Sequence, residues 1–170
     1  MRKIQNLVQI SLNEYLNPGD LAIDATIHHG DITRFLASRV GDTGKLLAFS
    51  EKKDEIDDVA ASLFLSGLNE RVDLINKDFT NIINYLEPTQ PIGAAMFQLD
   101  AQIDLAAVQN ATKAILMFLK TDGLLCLLSE DAQLLNTIKG YFAKLPANSY
   151  SVSYYENMLT SESALVIQRH

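Results

Sequence analysis

The chain has 170 residues, with 14 Lys and Arg against 21 Asp and Glu, a formal net charge of -7, and 48% apolar residues. At roughly 100–200 residues per domain this predicts one domain over 1–170 with a full core, and it excludes disordered, collagenous and coiled-coil chains. The acidic balance counts against a general nucleic-acid binder, whose affinity comes mostly from Lys and Arg neutralising phosphates. In chain order, Ile4, Leu7, Val8, Ile10, Leu12 and Leu16 recur at helical spacing. They predict an N-terminal helix within 1–17, packed on the rest and stopped by Asn17-Pro18-Gly19-Asp20. A strand is predicted at Leu21 to Ala25, then a helix over Asp31 to Val40 with Ile32, Phe35, Leu36 and Val40 on one face. After the turn Gly41-Asp42-Thr43-Gly44 come a strand at Leu46 to Phe49, a helix from about Asp54 to Leu68, and a strand at Val72 to Ile75. A short helix at Thr80 to Leu86 precedes a strand at Ala94 to Leu99. A helix over Leu105 to Leu119 is stopped by Thr121-Asp122-Gly123, and a strand at Leu124 to Leu128 and a helix at Asp131 to Lys144 follow. Two strands close the chain, at Tyr150 to Tyr155 and Ala164 to Gln168, with no helix between them.

Five strand–helix alternations predict a mostly parallel sheet covered by helices on both faces, since parallel neighbours need crossovers. The last two strands can be joined by a hairpin, which turns one of them antiparallel. The expected fold is α/β: a three-layer, Rossmann-like, seven-stranded and mostly parallel sheet with a C-terminal antiparallel strand. No apolar run approaches the ~20 residues needed to span a bilayer, and Met1 to Gln5 begins no apolar signal segment, so a cytoplasmic protein is expected. The single cysteine, Cys126, lies in an apolar run and reads as buried packing. The cations are scattered, only Arg2-Lys3 and Lys52-Lys53 being adjacent. Tyr141, Phe142, Tyr150, Tyr154 and Tyr155 read first as core and strand packing, and second as a homodimer surface.

In an open α/β sheet the ligand crevice lies beyond the carboxyl ends of the strands, beside the first one. The run there, from Pro18 through Asp24-Ala25-Thr26-Ile27-His28-His29-Gly30 to Ala37, resembles one bacterial family of class I S-adenosylmethionine-dependent methyltransferases. These are the small rRNA-methylase-like proteins, some of which methylate the aminomethyl-thiouridine at the tRNA wobble position. The resemblance continues through Gly44 to Phe49, Arg71 to Ile75, Ala94 to Leu99 and Asp122 to Leu124. It implies the fold above, S-adenosylmethionine as cofactor, and tRNA or rRNA as partner, although the sequence offers no basic patch.

The family motif after the first strand reads Asp-Ala-Thr-x-Gly-Asn-Gly-x-Asp-Thr. Here Asp24, Ala25, Thr26, Gly30 and Thr33 are kept, while His28 and His29 replace the first glycine and the Asn. An imidazole at His28 is expected to fill the space of the cofactor's methionine part or to push the loop aside, whereas Gly30 can still offer amides at a helix start. A metal held by the His pair with Asp24 and Asp31 is not expected, since adjacent loop residues rarely reach one ion and no further ligand is evident.

The resemblance further implies an acid at the end of the second strand for the ribose hydroxyls. Ser50 stands there, with Glu51 one residue on as substitute or as part of the charged run Glu51 to Glu55. Asp78 is placed for the adenine amino group or as a helix cap, with Phe79 beside the ring. Thus Asp24, Thr26, His28, Gly30, Ser50, Glu51, Asp78 and Phe79 are the candidate cofactor residues. The family's Asn-Leu-Gly-Tyr run becomes Gln98-Leu99-Asp100-Ala101, which leaves Gln98 and Asp100 as catalytic candidates, and its His-Gly-His-Pro-Gly-Gly stretch becomes Ser129 to Gln133. Two readings stay open: a methyltransferase with a remodelled site, or a non-catalytic relative acting through a partner. A nicotinamide-dependent oxidoreductase is disfavoured, because no Gly-x-Gly-x-x-Gly follows the first strand.

Overall fold

The computed structural model describes residues 3–170; Met1 and Arg2, and with them the Arg2-Lys3 pair and the start of the predicted N-terminal segment, lie outside the described residues. Seven strands form one sheet: β1 (Leu21–Asp24), β2 (Lys45–Phe49), β3 (Val72–Ile75), β4 (Ile92–Leu99), β5 (Leu119–Ser129), β6 (Tyr150–Glu156) and β7 (Ser163–Arg169). Their order is β3-β2-β1-β4-β5-β7-β6. All neighbours through β5 are parallel, and β7 runs antiparallel to both β5 and β6. The strand order reverses between β1 and β4, so the crevice opens above their carboxyl ends.

The central strands are apolar up to their carboxyl ends, where Asp24 and Gln98 stand, because both faces are covered. On one face α1 (Ile4–Tyr15), α2 (Asp31–Val40) and α3 (Lys53–Leu65) bury Val8, Leu12, Leu36, Val59 and Leu63 against Ala22, Ala48 and Met96. On the other, α4 (Leu105–Phe118) and α5 (Ala132–Phe142) bury Val108, Ile115, Leu135, Ile138 and Phe142 against Ile23, Phe97 and Leu127. Cys126 is fully buried, and burial pushes its thiol up to about 12. Tyr141, Tyr150 and Tyr154 pack on this second layer with Phe142, while Tyr155 is 38% exposed. No helix among the described residues is long and apolar enough to cross a membrane.

Three expectations are corrected. The segment at Thr80 to Leu86 is a 3-10 helix, Phe79–Tyr85, rather than an α-helix. Helix α4 does not stop at a separate turn: it ends at Phe118 and β5 begins at once with Leu119, which pairs with Ile92. Thr121-Asp122-Gly123 instead form a wide bulge inside β5, where the five-residue advance from Leu119 to Leu124 faces the two-residue advance from Ile92 to Ala94. Asp122 takes φ 65 there, and a side chain on Gly123 would meet the Ile92 carbonyl at 2.9 Å. The turn chemistry was read correctly and its context was not. Finally, Ile10 on the apolar stripe of α1 is 44% exposed.

At the amino-terminal edge of the sheet, Lys120 Nζ pairs with Asp20 Oδ2 at 2.6 Å, both side chains largely buried (23% and 17% exposed). Asp20 also accepts from the Asn17 N–H, and Gly93 leaves the room its carboxylate needs. Replacing Lys120 by Met keeps the aliphatic stem but strands this carboxylate. A loss of about 1–2 kcal/mol is expected in urea unfolding, less than for a fully buried pair because water still reaches both groups. An unchanged midpoint would show that the pair adds nothing.

Candidate functional site

Strand β1 ends at Asp24 and the chain then splays between its two neighbours: Ala25 N–H donates to the Met96 carbonyl of β4, and Ile27 N–H to the Phe49 carbonyl of β2. Thr26 Oγ1 accepts from the Gln98 N–H at 2.6 Å, tying the loop to the end of β4. Above this junction lies a cavity of about 500 Å³, walled by the ends of β1, β4 and β5, the starts of α1, α2 and α5, and the entry to β7.

Asp24 sits on its floor, 1% exposed. Burial pushes its carboxyl up to about 6; a 2.6 Å hydrogen bond from Thr33 Oγ1, the Thr26 N–H and the nearby His28 imidazole work in the opposite sense. His28 is half-buried and lines the wall, with His29 beside it at the mouth, their ring centroids 6.4 Å apart. Both strand-end hydrogen bonds are made, and neither histidine has a positive φ. Gly30 starts α2 at φ 84, and a side chain on it would meet Val59 of α3 and Arg34 at 3.1 Å. Packing between α2 and α3 thus demands glycine here. Gly30→Ala is expected to cost about 1–2 kcal/mol from the positive φ and this contact together, read from the urea midpoint; a neutral result would mean the two helices part freely.

Gln98 and Asp100 also line the cavity, as do Ser129, Glu130, Asp131, Glu162 and Ser163. The other five candidates do not: Thr26 is turned to the Gln98 N–H, and the remaining four stand away from the wall. Ser50 is buried at the end of β2, its backbone fixed by Ile75 and by the Asn76 side chain. Its hydroxyl accepts from the Lys52 N–H and donates to Glu55 Oε2 at 2.6 Å. Glu51 points outward, exposed. Asp78 Oδ1 accepts from the Thr80 N–H and hydroxyl and from Asn81, which makes it the cap of the 3-10 segment. Phe79 packs edge-on against Phe97 and borders a separate small cleft beside α4.

The residue that sequence reasoning missed is Glu55. It looked like one charge among five on a solvated helix start, yet it lies in the first turn of α3 and reaches back to Ser50, so a half-buried carboxylate stands at the end of β2 after all. A Ser followed five residues later by Glu across a helix start was the available signal. Among the described residues no group of three His, Cys, Asp or Glu is arranged to hold a metal.

No family model and no curated protein matches the chain. Solved structures do. A protein of Clostridium thermocellum, provisionally described as an rRNA methylase, superposes with a TM-score of 0.91 at 20% identity, over 100% of this chain and 99% of its own. A provisionally described methyltransferase of Streptococcus mutans, in complex with S-adenosylhomocysteine, gives 0.88 at 23% identity over 100% and 99%. An rRNA methylase of Streptococcus thermophilus gives 0.86 at 22% identity over 99% and 98%. The chain therefore has the fold of the class I S-adenosylmethionine-dependent methyltransferases, with its cavity at that fold's crevice.

Proposed function

We propose that the protein is an S-adenosylmethionine-dependent methyltransferase. The observation that carries this reading is the open cavity of about 500 Å³ at the switch point, with a buried carboxylate on its floor despite His28. A cavity of this size suits a small ligand. A non-catalytic relative has no need to keep Asp24 buried and without a cation partner among the described residues, at a cost to stability.

The residues fit the cofactor. Asp24 takes its α-ammonium and the amides at the start of α2 take its carboxylate; Glu55, held by Ser50 at the end of β2 beyond the cavity wall, takes the ribose hydroxyls in place of a strand-end acid. When bound, the cofactor supplies a methyl group on a sulfonium, an electrophilic carbon whose bond to sulfur breaks with the electron pair left on sulfur. Gln98, near the carboxyl end of β4, and Asp100, just after it, face the acceptor; Asp100 Oδ1 accepts from the Gln102 N–H, and the carboxylate can take a proton. Thr26 acts on position alone, by fixing the Gln98 backbone.

The test is direct binding. S-adenosylhomocysteine at 100 times its dissociation constant adds about 2.7 kcal/mol, which for a chain of this size raises the melting temperature by about 5–10 °C. The absence of any shift at millimolar ligand would refute the reading.

A further inference from the structure

The two edges of the sheet differ. One is β3, four residues long, with Asp73 on it paired to Lys45 of β2. The other is β6, seven residues with no Lys, Arg or Pro, no charge before Glu156, and no register shift against β7. Short length, charge, proline and bulges are the usual means by which a sheet edge is kept from pairing with another chain. Until its last residue β6 has none of them.

The ladder determines which backbone groups are left over. At the two ends of the β6–β7 register, His170 N–H donates to the Ser149 carbonyl and Asn157 N–H to the Glu162 carbonyl. Bonded and non-bonded pairs alternate along an antiparallel ladder, so Ser151, Ser153 and Tyr155 spend their N–H and C=O groups on β7. Tyr150, Val152, Tyr154 and Glu156 point theirs to the open edge. The Tyr150 N–H is taken by the Pro146 carbonyl, whereas those of Val152, Tyr154 and Glu156 meet no partner among the described residues. Apolar side chains gather at the same edge. Val152 and Tyr155 are exposed, and Met158 and Leu159 stand 88% and 92% exposed in the turn after β6. That turn is held by Asn157, which accepts from the N–H groups of Leu159, Thr160 and Ser161.

We propose that this edge is the contact with a second copy of the chain, the two β6 strands pairing antiparallel about a two-fold axis at Tyr154. In this register Tyr154 faces the second copy's Tyr154, and Val152 faces Glu156 in both directions, so every facing N–H and C=O is a free one. A shift toward Tyr150 opposes a carbonyl to the N–H already spent on Pro146; a shift the other way brings the two Glu156 carboxylates toward each other. Charge supports the same register. Lys139 lies over the Tyr154 ring, 4.5 Å from its centroid, and the Tyr154 hydroxyl donates to Glu156. Across the pair, Glu156 becomes the diagonal neighbour of the second copy's Tyr154 on one face, and so stands beside that copy's Lys139. Met158, beyond the end of β6, comes up to the start of the second copy's β6. A foreign strand would match the backbone alone; the second copy also matches the charge and the apolar turn.

The test is sedimentation of the full chain, with backbone hydrogen exchange as the readout of the edge. The wild type is expected to dimerise with a dissociation constant of about 10 μM, in the range of a small interface. As concentration rises, exchange at the Val152, Tyr154 and Glu156 amides should slow by about tenfold or more, while Ser151, Ser153 and Tyr155 stay protected throughout. Val152→Pro removes an outward N–H and no bond to β7, so it should weaken dimerisation about tenfold with the melting temperature little changed. Glu156→Lys is a second variant that leaves the backbone alone; it should also weaken the dimer, and Glu156→Lys/Lys139→Glu should restore it. Mixing Ser153→Cys chains with Tyr155→Cys chains reads the register, because these positions face each other as a non-bonded pair within disulfide reach. Either variant alone should stay uncross-linked, the native Cys126 being buried. A wild type that remains monomeric to about 1 mM would overturn the proposal and leave the edge to a foreign strand or to solvent. A dimer that Val152→Pro and Glu156→Lys do not weaken, or whose mixed cysteines fail to cross-link, uses another surface and overturns it as well.

Discussion

Asp24→Asn is expected to stabilise the protein at pH 7.5 by about 2 kcal/mol while weakening its hold on cofactor. In the folded state burial raises the Asp24 carboxyl from 3.8 to about 6, so the folded chain keeps a proton that the unfolded chain has released. A group shifted upward contributes its full stability below the unfolded pKa and loses it as pH rises through the folded one. For Asp24 that loss runs from about pH 4 to pH 6 and beyond, and its full size is about 3 kcal/mol. Asparagine carries no charge and escapes the penalty. It still accepts from the Thr33 hydroxyl, but its N–H groups find the Thr26 N–H where the carboxylate accepted, which reduces the gain. The comparison is urea unfolding at pH 4 and pH 7.5. The variant should lead only at the higher pH, by about 2 kcal/mol in the unfolding free energy. Equal loss at both pH values would show that Asp24 is kept for its hydrogen bonds rather than as a suppressed charge. The expected outcome would mark Asp24 as a residue retained for a cationic ligand at a standing cost to the fold.

The fold was legible because its signals are local and repeated. Pro18-Gly19 ends α1, Gly41 to Gly44 turns between α2 and β2, and the short apolar runs Ala94 to Phe97 and Leu124 to Leu128 mark β4 and β5. The bulge in β5 was not legible: Thr121-Asp122-Gly123 carries the same turn chemistry whether it ends a helix or kinks a strand, and only the pairing of Leu119 with Ile92 decides. The site was legible where strand ends define it. Asp24, His28, Gly30, Gln98 and Asp100 meet at one cavity because β1 and β4 are neighbours at the reversal of strand order. It was illegible where a side chain reaches across an element boundary, as Glu55 does, or where distant segments contribute, as Glu162 and Ser163 do from the entry to β7. A missing glycine at position 28 suggested an imidazole in the space of the cofactor's methionine part or a loop pushed aside; the structure holds the loop to β4 and β2 through Ala25 and Ile27 and sets the imidazole on the cavity wall.

Glu55→Ala is expected to weaken S-adenosylhomocysteine about 30- to 100-fold, the loss of roughly 2–3 kcal/mol that a charge-assisted pair of hydrogen bonds to a diol represents. The carboxylate is positioned for this by Ser50, whose hydroxyl holds Oε2 at 2.6 Å, while Lys52 at 3.8 Å from Oε1 is 66% exposed and competes little. Stability should change by no more than about 1 kcal/mol, the worth of an acid in a first helical turn. Glu51→Ala, on an outward side chain, is the matched control and should bind normally. Ser50→Asp in the Glu55→Ala background returns an acid to the strand end and should recover most of the affinity. The two halves of the ligand then separate the two carboxylates. 5′-Methylthioadenosine has the ribose but lacks the amino-acid group, so Glu55→Ala should weaken it as much as it weakens S-adenosylhomocysteine, whereas Asp24→Asn should weaken only the latter. Equal effects of both variants on both ligands would mean that the loop after β1 and the start of α3 move as one unit, and that neither carboxylate reads its own part of the cofactor.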